Sequence, residues 1–173
     1  MSPEARGTVA TLARLRRELT VDRAAMARRL AEARSVAEMF AHSTPNAPHL
    51  AYAALALHAW FTGFESAIER IVRELDGQVP RGDRWHAALL SEALTEIPGI
   101  RPAIVPGSVE RGLLDLLAFR HFVRHGYAAE IDPVKLRDEL DELTTIAPTV
   151  DAALASFDVF LVEAIEAARN ASS

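Results

Sequence analysis

Residues 50–61 read LAYAALALHAWF, and this stretch decides the fold class. Apolar side chains occupy almost every position, so an α-helix built from it is apolar on nearly every face. Such a helix needs neighbours on all sides, which predicts a place in the middle of a helical bundle. The run continues to Phe64 but is interrupted by His58 and is too short to span a bilayer, so we expect no membrane partner.

Helical periodicity continues on both sides of this stretch, and no segment shows the alternation typical of a β-strand. The expected helices cover about residues 9–40 and 49–76, a short helix capped by Asp83, a fourth opened by Ser108, and a last one begun by Asp132–Pro133 and kinked or split at Pro148. Gly77 and Gly126 are expected to end the second and fourth helices. The sequence therefore predicts a single all-α domain over residues 1–173, an antiparallel up-down bundle of four to five helices.

Composition and charge narrow the function classes. The chain has no cysteine, which excludes disulfides, zinc ribbons, iron–sulfur clusters and thiol nucleophiles. The absence of an apolar core in MSPEARGTVA, together with the lack of cysteine, predicts a soluble cytoplasmic protein. The net charge of −5 argues against generic nucleic-acid binding. Residues 11–34 nevertheless hold seven arginines and residues 130–173 hold ten acids, so a local anionic partner stays open beside the simpler reading of two solvated faces of opposite sign.

The stretch FRHFVRHGY, residues 119–127, carries the functional interest. Arg120 lies seven residues after Leu113 and so falls within an apolar stripe of the fourth helix. A guanidinium that faces an apolar surface is costly unless it is paired or directed at an anion. This position predicts a helix that faces a cleft or a second subunit. The alternative is an ordinary ion pair with Asp115 or with an acid of the last helix.

His125 stands immediately before the expected end of this helix, where an imidazole can reach a groove. Its unperturbed pKa near 6.5 suits proton transfer. A histidine and an arginine at one cleft match the needs of RNA cleavage, because imidazole can move a proton at the ribose 2′-hydroxyl or the leaving oxygen. The guanidinium can stabilise the charge that develops on the phosphate. This chemistry requires no metal and no cofactor.

The spacing becomes specific only with the tyrosine. A bare R-x4-H is expected ~0.6 times by chance in a chain of this composition, and a second copy indeed runs from Arg81 to His86. Adding a tyrosine two residues later lowers the expectation to roughly 0.007. Arg120, His125 and Tyr127 meet this stricter pattern.

The R-x4-H-x-Y pattern resembles the signature of HepT-like ribonuclease toxins in the HEPN superfamily. The continuation AAEIDPVKL (128–136) and the upstream stretch FESAIERIVRELDGQVPRGDRWHAALL (64–90) resemble the same family. The resemblance covers about residues 50 to 140, whereas the first forty residues add no matching motif.

The resemblance implies a homodimer whose signature helices meet at a composite cleft. It implies metal-independent RNA cleavage to a 2′,3′-cyclic phosphate, with Arg120 and His125 as catalytic residues. Arg124 and His121 are candidate phosphate-binding residues. It also implies an antitoxin partner of the MNT nucleotidyltransferase type, which can transfer AMP to the signature tyrosine, here Tyr127, and so repel RNA.

Two other readings stay open. The protein can be a non-catalytic HEPN-like module that binds a nucleotidyltransferase or RNA. His121 and His125 are spaced i, i+4 and can form half a metal site, although no further ligand motif accompanies them. Trp85 and His86 are expected to serve packing and capping.

Overall fold

The computed structural model describes residues 2–125 and 131–171, apart from the side chains of Arg124 and His125. These residues form helices and no β-strand, which confirms the all-α class. The elements are α1 (Pro3–His42), α2 (Ala47–Leu75), α3 (Trp85–Leu94), a short 3-10 turn (Gly107–Val109), α4 (Glu110–His125) and α5 (Pro133–Asn170).

Helix α2 occupies the middle of the bundle and contacts each of the other four helices. Its buried face includes the large side chains Trp60, Phe61 and Phe64, and the ring of Phe64 contacts both of the others. The central position predicted from LAYAALALHAWF is therefore confirmed. Burial is incomplete near the start of the helix, because Tyr52 and Leu55 remain exposed.

Capping side chains set where the helices begin. The Ser2 hydroxyl accepts the Ala5 N–H and Pro3 follows it, so α1 starts six residues before the predicted Val9. The start of α1 was predicted from its apolar periodicity, which begins several residues after the Ser2 cap. The Asp132 cap is confirmed, since its carboxylate accepts the Val134 N–H at 2.8 Å.

Two boundary predictions were wrong, and the predicted split of the last helix at Pro148 does not occur. Asp83 does not cap α3, whose first residue is Trp85 and whose N-cap position is Arg84, without a side-chain cap. Ser108 lies in the 3-10 turn, and α4 begins only at Glu110. Pro148 does not split α5, because buried side chains on both sides of it pack into the same core. The positive φ of Gly77 confirms the predicted end of α2, whereas Gly126 lies outside the described residues.

The opposite charges of the two ends of the chain meet where α1 packs against α5. Arg16 donates both Nε and Nη2 to Asp158, and Arg23 does the same to Asp151. These contacts span more than a hundred residues of sequence. Arginines of α1 therefore pair with aspartates of α5, so the opposite charges of the two helices do not simply form two separate solvated faces.

Helix α5 is long and apolar enough, by length and composition alone, to cross a membrane. Its apolar side chains include core residues such as Leu140, Leu154 and Leu161, and core helices of soluble proteins meet the same criterion. The helix is part of the bundle core.

Candidate functional site

The apolar stripe of α4 carries Arg120 into the protein. Leu113 and Leu116 are buried on this stripe, as is Val109 in the 3-10 turn that precedes the helix. Because Arg120 follows Leu113 by two helical turns, its side chain leaves α4 on the same side and meets α2 and α3. The predicted position of Arg120 on the stripe is thus confirmed.

Arg120 forms a closed triangle with one acid and one histidine. Its Nη2 lies 3.0 Å from Oε2 of Glu65 on α2, and its Nη1 lies 3.3 Å from Nε2 of His86 on α3. The third side joins His86 Nδ1 to Glu65 Oε1 at 2.5 Å. Three helices therefore converge on one charged cluster, and we call these residues the Glu65–His86–Arg120 triangle.

The hydrogen-bond roles in the triangle follow from its donors. A guanidinium can only donate, so His86 Nε2 accepts from Arg120 and the imidazole proton resides on Nδ1. That proton is donated to Oε1 of Glu65, while the other carboxylate oxygen is ion-paired with Arg120. Burial raises the pKa of the Glu65 carboxyl, and the nearby Arg120 and His86 partly oppose this effect.

Access to the triangle runs past His86. The Arg120 and Glu65 side chains are only 12% and 9% exposed. His86 borders a groove of about 410 Å³ between α3 and α4, whose walls include Leu114 and His121. An anion in this groove would lie next to the imidazole that contacts Arg120.

The other predicted site residues divide into two groups. His121 is exposed and shares the groove with His86. The side chains of Arg124 and His125, and the whole of Tyr127, lie outside the described residues. The structure therefore brings Arg120 and His121 to the same region, while the pairing of Arg120 with His125 stays a prediction.

The alternative of an ion pair between Arg120 and Asp115 or an acid of the last helix does not match the structure. Asp115 is 3.9 Å from Arg111 at the surface, and the acid that pairs with Arg120 belongs to α2 rather than to the last helix. Glu65 was missed, although the sequence contains a signal for it. It is a single acid between the buried Phe64 and Ala67, and a carboxylate at such a position needs a cationic partner.

The role of His86 also extends beyond the packing and capping that were predicted for it. Its ring stacks on Trp85 with centroids 3.7 Å apart, and both of its nitrogens are used in the triangle. The alternative of a metal site involves His125, whose side chain lies outside the described residues. Over the described side chains, no three potential His, Cys, Asp or Glu ligands come together.

Comparison with known proteins identifies the family to which the chain belongs. The model of the family described as HepT-like protein matches residues 52–161, which is more than half of the chain and contains all three residues of the triangle. Searches of curated proteins and of solved structures gave no match. With a helical bundle and a family match of this extent, the chain belongs to the HepT-like family of the HEPN superfamily.

Proposed function

We propose that this protein is a metal-independent RNA endonuclease and the toxin of a HEPN/MNT-type toxin–antitoxin pair. The observation that carries the proposal is the environment of Arg120. Within the region matched by the family, Glu65 and His86 fix the guanidinium of the signature arginine in one orientation. A fixed guanidinium can stabilise a phosphorane-like transition state without reorganising during the reaction.

The proposed reaction uses the ribose as its nucleophile. His125 removes the proton from the 2′-hydroxyl, and the 2′-oxygen forms a bond to phosphorus. The bond from phosphorus to the 5′-oxygen breaks, and that oxygen takes a proton from an acid at the site. The products are a 2′,3′-cyclic phosphate and a 5′-hydroxyl. Arg120 stabilises the negative charge on the phosphate, while Arg124 and His121 bind neighbouring phosphates.

A homodimer would complete the cleft. Leu114 and Phe122 are 42% and 40% exposed on α4, and Ala118 lies exposed between them. This line of side chains suits packing against the same face of a second copy, which would place two signature helices side by side. The arrangement supports the proposed composite site.

Control by an antitoxin follows from the same proposal. An MNT-type nucleotidyltransferase would transfer AMP to Tyr127, and the added bulk and charge would repel RNA from the cleft. Incubation with such an enzyme and ATP should add the mass of AMP to the protein and to Tyr52→Phe, but not to Tyr127→Phe. Modification of Tyr127→Phe would refute the assigned acceptor.

A second candidate is a non-catalytic module that binds a nucleotidyltransferase or RNA. It is favoured by the low exposure of Arg120, since an arginine paired with Glu65 and 12% exposed can be wholly structural. Production of the protein alone in cells separates the two candidates. A ribonuclease should arrest growth unless its site is mutated, whereas a binding module should leave growth unchanged.

Cleavage in excess EDTA tests the proposal directly. Labelled RNA should be cut by the wild-type protein, and His125→Ala and Arg120→Ala should each lose at least about a hundredfold in rate. Arg28→Ala, which removes an exposed arginine of α1, is the matched control and should cut normally. Cleavage that persists in both site variants would eliminate this site.

A further inference from the structure

Trp85 borders a second groove. It has a volume of about 990 Å³ and lies between the last turns of α2, the loop 77–82 and the start of α3. Arg73 and Glu69 border it from α2, Arg81 from the loop, and Trp85 from α3. Its size lies at the upper end of the range of small-molecule sites, so it can hold a nucleotide or more.

The groove has an excess of positive charge. Arg73 is ion-paired with Glu69 on the same helix, so this pair contributes no net charge. Arg81 is exposed and forms no ion pair with any residue in 2–123 or 131–171. One uncompensated guanidinium in a concave surface favours an anion such as a phosphate.

Trp85 provides an aromatic surface next to that charge. The other tryptophan, Trp60, is 1% exposed in the core, whereas Trp85 is half-buried and borders the groove. One face of the Trp85 ring is covered by His86. The surface that it offers to the groove is therefore the opposite face or an edge. An aromatic side chain beside an arginine is the arrangement that binds unpaired bases and their phosphates.

The stacked pair of Trp85 and His86 connects the groove to the Glu65–His86–Arg120 triangle. Trp85 stacks on His86 at 3.7 Å, and His86 contacts Arg120. A strand whose phosphate lies at the triangle can therefore place a neighbouring nucleotide on the far side of this aromatic pair. This juxtaposition connects the groove to the proposed cleavage site.

We infer that the groove lined by Arg81 and Trp85 is a subsite for single-stranded RNA, in which Trp85 stacks on a base next to the cleaved bond and Arg81 binds its phosphate. The inference rests on the proposed ribonuclease function for its choice of ligand. The subsite should bind unpaired RNA in preference to duplex RNA, because a base held in a duplex has no face free for stacking.

Binding of a short 2′-O-methyl RNA oligonucleotide tests the subsite without cleavage. The oligonucleotide should quench tryptophan fluorescence, since Trp85 is the accessible indole and Trp60 is buried. By anisotropy of a labelled oligonucleotide, Trp85→Ala should weaken binding by about tenfold and Trp85→Phe should largely retain it. Arg81→Ala should weaken binding severalfold and lower the slope of log K against log salt by about 1.

The matched control is Arg28→Ala on α1, which should bind as the wild type does. A duplex of the same sequence should bind less tightly than the single strand. Arg81 lies in an exposed loop, so Arg81→Ala reports on binding even if Trp85→Ala fails to fold. Unchanged affinity in Arg81→Ala, with no quenching of Trp85, would overturn the subsite.

The outcomes separate this inference from the proposed function. If the wild type cleaves RNA in EDTA but the groove variants bind normally, the subsite is wrong and the nuclease proposal stands. If the groove variants lose binding but the wild type does not cleave RNA, the subsite stands and the protein is an RNA-binding module.

Discussion

At the scale of single residues, Arg101 is buried and Arg120 is partly buried, and the two arginines differ in how completely they are bonded. Arg101 is 0% exposed and uses all five N–H groups, with a bidentate pair to Asp76 and bonds to the carbonyl oxygens of Glu92, Thr95 and Pro102. Arg120 makes two contacts, and its buried Nε has no hydrogen-bond partner among the described residues. Arg101 is therefore a structural arginine, whereas Arg120 retains donor capacity.

The bonding of Arg101 predicts a large effect on stability. Arg101→Ala leaves the carboxylate of Asp76 buried without its cation, so the free energy of unfolding should fall by about 3–5 kcal/mol. Urea denaturation followed by circular dichroism measures this change. Arg111→Ala is the control, since its side chain is 96% exposed, and it should stay within about 0.5 kcal/mol. Equal effects of the two changes would contradict the structural part given to Arg101.

Glu65 tests whether the triangle positions Arg120. Glu65→Gln keeps the shape of the side chain but removes the charge that pairs with Arg120, so the guanidinium should lose its fixed orientation. We expect RNA cleavage to fall by about tenfold or more, with the loss in kcat rather than in KM. Glu74→Gln, which breaks the surface pair with Arg14, should cleave normally. Full activity in Glu65→Gln would show that the triangle has no part in positioning.

The position of Arg120 could be predicted from the sequence, but the residues that it contacts could not. The unusual place of Arg120 was predictable, because an arginine interrupts an apolar periodicity. Its partners were not, because Glu65 and His86 are 55 and 34 positions away and reach it only through the packing of three helices. Local patterns indicate that a buried charge needs a partner but not which helix supplies it.

At the scale of helices, α4 and α5 meet at a crowded acidic seam. Glu139 on α5 is half-buried, its Oε2 has no hydrogen-bond partner among the described residues, and Asp115 on α4 faces it. Burial, followed by the charge of Asp115, raises the pKa of Glu139 to about 7, although Lys135 acts in the opposite direction. Glu142 and Asp138 add to the increase.

The raised pKa predicts how stability depends on pH. In the unfolded chain Glu139 ionises near its ordinary pKa of 4.5, but in the folded protein it retains its proton to about pH 7. The unfolded state therefore releases this proton first, and the contribution of Glu139 to stability declines between pH 4.5 and 7. Glu139→Gln should exceed the wild type in thermal stability at pH 8, and the difference should vanish near pH 4.

The control for this change is Asp141→Asn, an exposed acid on the same helix, which should not alter the pH dependence of the melting temperature. A Glu139→Gln variant that follows the wild-type curve at every pH would show that the α4–α5 seam carries no ionisation penalty.

The helices themselves were largely predictable, because long amphipathic periods and Pro-rich connections are local features. The Asp132–Pro133 start of α5 is an example, since cap and proline are adjacent in sequence. The continuity of α5 across Pro148 was not predictable, because buried contacts with the core on both sides of the proline outweigh one missing hydrogen bond.

At the scale of the whole molecule, the proposed site requires a second copy of the chain. Leu114 on α4 and Val159 on α5 are both exposed apolar residues, but only Leu114 lies on the helix that carries Arg120. Leu114→Glu should shift the protein from dimer to monomer in light scattering and reduce cleavage, because it places a charge in the interface. Val159→Glu should remain dimeric and active. A wild-type protein that is monomeric at micromolar concentration would contradict the composite site.

Attack by a ribose hydroxyl at a site built around Arg120 can be tested by changing the substrate. One RNA is prepared with its full set of ribose groups and again with a single 2′-deoxy nucleotide on the 5′ side of the mapped cleavage point, and both are incubated with the protein in excess EDTA. The all-ribose RNA should yield a 2′,3′-cyclic phosphate by mass spectrometry, and the 2′-deoxy RNA should stay intact at that point. Equal cleavage of both substrates, or products that end in a free 3′-hydroxyl, would contradict this mechanism.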